Sequence, residues 1–296
     1  MNPSLSRRKR HGTKFSLALF MLVGLLLATH LLLADDNEVE SHLKSLYVDN
    51  ILTLRHFYTG QHLNFRADGA LIGDAPIGPW TLASQFRVKE IRIKDSSLII
   101  KGRRIQWIFD AQDKAHDQLM RYEDCSGECD AQKKALDEAA IEIMIGLPSN
   151  KATEEETAAA INAVFLPPGE SMLDIVPPFW QAYFAKREGK TMASEAPKQT
   201  VYVVKTGEIT PPTVTFGPDP DYSREAREAK YMGSLLIALV VSPTGKPTDL
   251  QIQKPLGLGL DEKGVAAVET WKFEPALKDG KPVPVRVQIQ VTFKLY

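Results

Sequence analysis

Cysteine is nearly absent from this 296-residue chain, which has only Cys125 and Cys129, in the segment Cys125-Ser126-Gly127-Glu128-Cys129. A fold stapled by several disulfides is thereby excluded. The three intervening residues differ from the two-residue spacing of thioredoxin-like redox sites, and no second Cys or His pair nearby completes a zinc site. Outside the cytoplasm the two thiols either stay idle or close a very short structural loop, which needs a Cα separation below about 7 Å. A dominant charge sign is missing too, since 36 basic and 37 acidic residues leave a net charge of -1. The basic cluster is confined to the N-terminus, so no nucleic-acid partner is expected.

The signatures of common catalytic centres are also missing. There is no His-Glu-x-x-His, no phosphate-binding loop and no dinucleotide fingerprint. Gly169-Glu170-Ser171-Met172-Leu173 begins like a nucleophile elbow, but it lacks the final Gly and a preceding strand. His42, His56, His62 and His116 are scattered. His56 and His62 straddle a turn and are placed as cross-strand neighbours, with exposed or hydrogen-bonded imidazoles expected over a metal site. Arg103-Arg104 beside Trp107 is assigned to a solvated strand face in preference to an anion site. The expectation is a non-enzyme with no catalytic residue, no metal and no cofactor.

Long apolar runs are scarce, and the one present is at the N-terminus. Arg7, Arg8, Lys9, Arg10 and Lys14 precede residues 15–34, which carry no formal charge, and Asp35-Asp36 comes directly after. Positive residues stay inside, so the chain beyond Ala34 is expected on the outer side of the membrane. At about 1.5 Å per residue the run spans about 30 Å as a helix, enough to cross a bilayer. It reads as an uncleaved single-pass anchor or as a long signal peptide. The anchor is favoured, because the run exceeds the usual signal core of roughly 7 to 15 residues and Leu32 is a poor partner for cleavage after Ala34.

From Asn50 to Asp110 the chain reads as short strands. Leu52 and Leu54, then Leu63 and Phe65 before Asp68-Gly69, then Leu71, Phe86, Val88, Ile91, Ile93 and Leu98 to Ile100 mark them, with Ile105, Trp107 and Phe109 completing the set. The phase slips between Val88 and Ile91, which implies a bulge or break. A small antiparallel sheet or partial barrel is expected, and a helical period after Asp110. Thr153 to Glu156 forms a capping box ahead of Ala158, Ile161 and Phe165. Ser171 is expected to cap a helix leading through Phe179, Trp180, Tyr183 and Phe184, aromatics assigned to the core. The polar stretch from Arg187 to Gln199 then marks a boundary. Prolines number 19 but form no long run, so a stiff extended spacer is absent.

The last stretch is the most informative. Pro218-Asp219-Pro220-Asp221-Tyr222-Ser223 leads through Tyr231-Met232-Gly233 into the apolar run Leu235 to Val241. Pro243-Thr244-Gly245-Lys246-Pro247 supplies a turn, and Leu250 and Ile252 alternate with Asp249, Gln251 and Gln253, so a hairpin is expected. Asp261 is taken as a helix N-cap, followed by Gly264, Ala267, Val268 and Trp271 on one stripe. Trp271 and Phe273 are assigned to the core. Val285, Val287, Ile289, Val291, Phe293 and Leu295 alternate with polar residues, the clearest period-two signal in the chain. One face of this strand is buried and the other is wet. Because nothing after it is obliged to cover it, its free N–H and C=O groups are available to an added strand.

The order and spacing from Pro218 through Trp271-Lys272-Phe273-Glu274-Pro275-Ala276 and Gly280-Lys281-Pro282-Val283-Pro284 resembles the C-terminal domain of TonB-family energy transducers. The resemblance covers roughly the last ninety residues. It implies recognition of an extended peptide of an outer-membrane transporter, with Pro220, Asp221 and Tyr222 in the family's lead-in motif and Val285, Val287, Ile289 and Val291 on the receiving strand. It further implies an inner-membrane proton-driven motor as a second partner. The family's anchor carries a Ser and a His one turn apart, whereas this segment has His30 with Leu26 four positions before it. His30 is nonetheless the candidate for membrane coupling, being an ionisable residue at membrane depth.

The fold class expected is α+β. Its organisation is a basic segment 1–14, an anchor or signal peptide 15–34, a β-rich then helical periplasmic region 36–189, a linker 190–204, and a small domain 205–296 of antiparallel sheet packed with helices. The place of work is the cell envelope, on the periplasmic side. The alternative to transduction is a periplasmic adaptor without motor coupling. The anchor assignment predicts that intact mass of the protein from washed membranes gives a chain uncut at Ala34. A cut, soluble chain in the periplasmic fraction overturns it.

Overall fold

A computed structural model describes residues 36–122, 130–149, 151–191, 200–204 and 208–295. The anchor segment with His30, Cys125 and Cys129, and most of the linker, lie outside the described residues. Among the described residues no helix is long and apolar enough to cross a membrane. The chain mixes helices with largely antiparallel sheets.

The first half begins with α1 (Asp36–Tyr47), β1 (Ile51–Thr53), β2 (His62–Phe65), β3 (Leu71–Ile72) and the short α2 (Trp80–Ala83). It continues with β4 (Gln85–Lys94), β5 (Ser97–Arg104), a ribbon of β6 (Trp107–Phe109) and β7 (Ala115–Asp117), then α3 (Asp130–Glu138), β8 (Ala140–Gly146), α4 (Glu154–Val164) and α5 (Pro178–Arg187). Six strands form one sheet in the order β1-β4-β5-β8-β2-β3. Phe86, Val88, Ile91, Leu98, Ile100 and Ile143 are buried on the same apolar cluster as Val39 and Leu43 of α1 and Ile161 and Val164 of α4. The slip after Val88 is a bulge, where the β4–β5 register shifts between Val88 and Glu90. Gly102 opposite it is obligatory, since a Cβ there would lie 2.3 Å from the Arg87 carbonyl oxygen.

Three expectations fail in this half. β2 pairs with β8 in parallel, so the sheet is mixed and not antiparallel throughout. β8 falls where a helical period is expected from the sequence. Its Ile141, Ile143 and Ile145 alternate with Glu142 and Met144, and pairing with β5 on one side and β2 on the other makes it a central strand. Ser171 caps only a single turn, Met172–Asp174, and the aromatic helix starts afresh at Pro178, whose missing N–H is harmless in a first turn. The capping box stands: Thr153 Oγ1 accepts from Glu156 N–H at 3.2 Å and Glu156 Oε2 accepts from Thr153 N–H at 2.8 Å.

The second half contains β9 (Tyr202–Val203), β10 (Thr213–Phe216), α6 (Arg224–Glu228), β11 (Gly233–Val241), β12 (Pro247–Lys254) and α7 (Leu260–Glu269). β13 (Lys272–Glu274), β14 (Ala276–Lys278), β15 (Lys281–Val283) and β16 (Val285–Phe293) complete it. The main sheet has the order β12-β11-β16-β9, and the expected β11–β12 hairpin is present. Gly264 lets α7 press on the sheet, where an added Cβ would meet the Leu235 side chain at 2.4 Å. Phe273 is buried and Trp271 half-buried against the core.

A single apolar cluster joins the halves. Trp80, Phe109, Trp180, Tyr183 and Phe184 from the first half pack with Leu235, Ile237, Leu258, Val268 and Phe293 from the second. The loop 256–259 enters the seam, where Leu258 N–H donates to Trp107 O at 2.8 Å and Gly259 N–H to Thr81 Oγ1 at 2.8 Å. Asp261 holds that loop and is not the N-cap. Gly259, in the left-handed region, takes the cap position, while Asp261 in the first turn accepts from Leu256 N–H through Oδ1 and Gly257 N–H through Oδ2, both at 2.7 Å. Glu262 beside it accepts from Trp80 N–H and Trp180 Nε1–H through Oε1. The stem of Glu262 is partly exposed, but its Oε2 is buried.

Burial, then the neighbouring Glu262 charge, pushes the Asp261 carboxyl up to about 7 against the pull of its two N–H donors. A carboxyl with a raised folded pKa contributes stability that is fully present below its unfolded value and is lost as pH rises through the folded one. Asp261→Ala leaves two buried N–H groups without acceptors. It is expected to cost roughly 2–5 kcal/mol in urea unfolding and to flatten a decline in stability that wild type shows between about pH 4 and about pH 7.

Candidate functional site

β16 pairs with β11 over its whole length, from Val285 opposite Val241 to Phe293 opposite Gly233. On its other side β9 alone is present among the described residues, in parallel, with Tyr202 beside Val285 and Val203 beside Arg286. The Tyr202 N–H donates to Pro284 O at 2.9 Å, and this bond sets the phase of the strand. Main-chain polar groups of alternate residues point to opposite sides. Those of Pro284 and Arg286 therefore face β9, and those of Val285, Val287, Ile289 and Val291 face β11. Gln288, Gln290 and Thr292 turn their N–H and C=O groups outward beyond the end of β9. The terminal strand is thus not wholly uncovered, contrary to expectation, because its first residues are already paired. The run Val201-Tyr202-Val203-Val204 carries the strand signal for this pairing.

The side chains divide in the same way. Val285 and Val291 are buried, and Val287 and Ile289 pack on the core, so these four residues brace the strand from within. The outer face is a polar lattice. Arg286 Nη2 reaches Asp249 Oδ2 at 2.6 Å, Gln290 Nε2 donates to Ser234 Oγ at 3.0 Å, and the Ser234 and Thr292 hydroxyls lie 2.9 Å apart. A groove of about 680 Å³ runs beside β9, lined by Val203, Val204, Ala238, Gln253, Arg286, Val287 and Gln288.

Tyr222 supports the far end of the same strand. Its ring meets Phe293 edge to face, 5.4 Å between centroids, and Arg227 lies over it at 6.0 Å. Its hydroxyl is buried with no hydrogen-bond partner, and desolvation raises its pKa. Ser223 next to it caps α6 by accepting from Ala226 N–H, and donates to Leu258 O at 2.5 Å. Asp221 is exposed and Pro220 half-exposed in the segment leading into this turn. Pro220, Asp221 and Tyr222 are thus placed at the Phe293 end of β16, away from β9.

Other residues singled out in the sequence have structural partners. Arg103 and Arg104 are not on a solvated face. Both are buried, Arg103 paired with Asp117 at 3.0 Å and Arg104 donating to the carbonyls of Ala83, Tyr58 and Gly60. His56 lies beside Tyr58 with the two rings tilted, while His62 pairs with Glu142, so they are not cross-strand neighbours. Ser171 donates to Glu188. A larger cleft of about 910 Å³ lies along the seam between the halves. Its charged walls bind one another, through Lys134–Glu138 at 3.5 Å and Arg224–Glu138 at 3.4 Å, so the edge of β16 offers more unused bonding capacity. No three His, Cys, Asp or Glu residues gather as a metal-binding group among the described residues.

Residues 218–295 match the family model described as Gram-negative bacterial TonB protein C-terminal. The chain carries a TonB-family C-terminal domain. It is 34% identical over 79 residues to "Protein tonB2" of Pseudomonas aeruginosa, covering 26% of this chain and 29% of that protein. It is also 31% identical over 86 residues to "Protein TonB" of Vibrio cholerae, covering 29% of this chain and 35% of that protein. The match thus spans about a third of these curated relatives. A solved structure, "Solution NMR structure of Pseudomonas aeruginosa TonB CTD", aligns with 31% of this chain and 92% of its own at 22% identity, with a TM-score of 0.24.

The matched TonB segment contains Tyr222, the hairpin, α7 and β16 but not β9 or the six-stranded sheet. Tyr222 separates packing from hydrogen bonding within it. Tyr222→Phe is expected to leave stability within about 0.5 kcal/mol of wild type or raise it, since the buried hydroxyl has no partner. Tyr222→Ala is expected to cost roughly 2–4 kcal/mol through the cavity against Phe293. Thermal unfolding of the two variants checks both values.

Proposed function

We propose that this is a non-enzymatic TonB-like protein of the cell envelope whose C-terminal domain captures an extended peptide of an outer-membrane transporter, or of another envelope partner, as a strand added to β16. The observation that carries the reading is the set of outward main-chain groups at Gln288, Gln290 and Thr292, on a strand braced along its other side by β11. Main-chain bonding of this kind supplies affinity with little demand on partner sequence, and pockets beside the strand supply selectivity. The groove floor at Ala238, Val287 and Gln288 offers room for a partner side chain. With each net hydrogen bond contributing about 0.5–1.5 kcal/mol, three residues of open edge favour a reversible contact suited to repeated engagement.

Transduction of inner-membrane energy is the first reading of what the contact serves, with residues 15–34 as anchor and His30 as the coupling residue. The adaptor reading has its own support in the shared core, which packs the C-terminal domain against α2, β6 and α5 of the first half and does not leave it at the end of a long proline-rich tether. His30→Leu abolishes transport on the first reading and leaves it unchanged on the second.

The edge itself is tested by placing proline in alternate phases. Gln290→Pro removes an outward N–H without touching the β11 ladder, where proline is tolerated. It is expected to weaken capture of a transporter-derived peptide at least about tenfold while the domain stays folded. Ile289→Pro cuts the ladder to β11 and is expected to unfold the domain. Peptide binding unaffected by Gln290→Pro, measured by calorimetric titration, sinks the proposal.

A further inference from the structure

Among the described residues β9 is the single parallel strand of its sheet, and it meets β16 in the way an arriving strand would. It lies on the edge and touches only the first two residues of β16, Val285 and Arg286. Its hold is light. Tyr202 packs on the core, with Lys278 Nζ 4.6 Å from its ring centre, and its N–H donates to Pro284 O. Val203 is 63% exposed, and Val204 just after the strand is 37% exposed, so two of the residues 202–204 contribute little burial. The main-chain groups of Arg286 can serve only one neighbouring strand. Whatever uses the full edge must therefore take them from β9.

We propose that residues 202–204 are an internal competitor for the binding edge, an autoinhibitory strand that an incoming peptide displaces before it can pair along β16 from Val285 to Phe293. The inference rests on the edge reading of the function. Displacement is energetically close to even, because the bonds that β9 gives up are replaced by equivalent bonds from the peptide. What β9 withholds is the first part of the edge and its side of the groove formed by Ala238, Arg286, Val287 and Gln288. Binding is then gated by the anchoring of Tyr202, and any event that pulls on the chain before Val201 draws β9 off and raises affinity.

The test uses the full chain with Tyr202→Pro, which removes the N–H given to Pro284 and the ring beside Lys278, and Tyr202→Ala, which removes the ring alone. The probe is a synthetic peptide of six alternating Thr and Val residues. Tyr202→Pro is expected to bind it roughly three- to tenfold more tightly than wild type, the equivalent of one or two net hydrogen bonds no longer in competition, with Tyr202→Ala between them. Hydrogen exchange at the Arg286 amide should quicken in Tyr202→Pro, while the amides of Val287, Ile289 and Val291, bonded to β11, stay protected and report an intact sheet. Equal or weaker binding by the variants with that sheet intact overturns the competitor. Faster exchange at Arg286 with no binding by any of the proteins overturns the edge reading beneath it.

Discussion

The two short bonds from Leu256 and Gly257 N–H to the buried carboxylate of Asp261 hold a loop in a shape it would not keep alone, and the architecture turns on that loop. Gly257 and Gly259 carry positive φ, and Leu258 between them does as well, so three consecutive residues sit in the left-handed region that only glycine visits freely. A Cβ on Gly257 would lie 2.2 Å from Trp107 O, which measures how closely the loop approaches the first half of the chain. Held there, it places Leu258 in the common core and brings Glu262 to the two tryptophans. A buried carboxylate with both oxygens occupied costs desolvation, and what that cost secures is a fixed joint.

The fixed joint gives the C-terminal domain a defined frame of reference. α5 supplies the aromatic side of the seam and packs on β12, β12 pairs with β11, and β11 aligns β16. Rigidity thus passes across the sheet, strand by strand, and ends at an edge whose outward groups belong to alternate residues. That edge is then partly closed by a strand from just before the domain. A protein with a permanently open edge invites unwanted pairing with other chains, and a short strand over the start of the edge reduces that hazard. The polar lattice of Arg286, Asp249, Gln290 and Ser234 on the outer face serves the same end, since charged and hydrogen-bonded side chains there discourage stacking of a second sheet.

Much of this is legible in local pattern. The β11–β12 turn needs Gly245, whose Cβ would lie 2.0 Å from Phe273 O. The period of β16, the bulge after Val88 and the capping box at Thr153 all depend on residues a few positions apart, so their chemistry can be read along the chain. β8 escapes such a reading because a charged helix, α3, runs directly into it, and the change of period at Ala140 is hidden by the charges around it. Arg103 and Arg104 read as surface residues because a charge is usually solvated there. Asp117 and three backbone carbonyls far away in sequence, which offset the cost of their burial, are invisible along the chain.

The sequence by itself determined the β11–β12 hairpin, the helix α7, the family resemblance and the buried face of the last strand, because period-two burial and turn chemistry are local properties. Only the tertiary structure decided that Asp261 clamps a loop and does not cap a helix, that the two halves share one core, and that Gln288, Gln290 and Thr292 turn their main-chain groups away from β11 with β9 over the start of that edge. Each of these depends on which main-chain groups meet across long separations. Side-chain alternation tells which face of a strand is wet, but the direction of its N–H and C=O groups is set by the neighbour that claims them first.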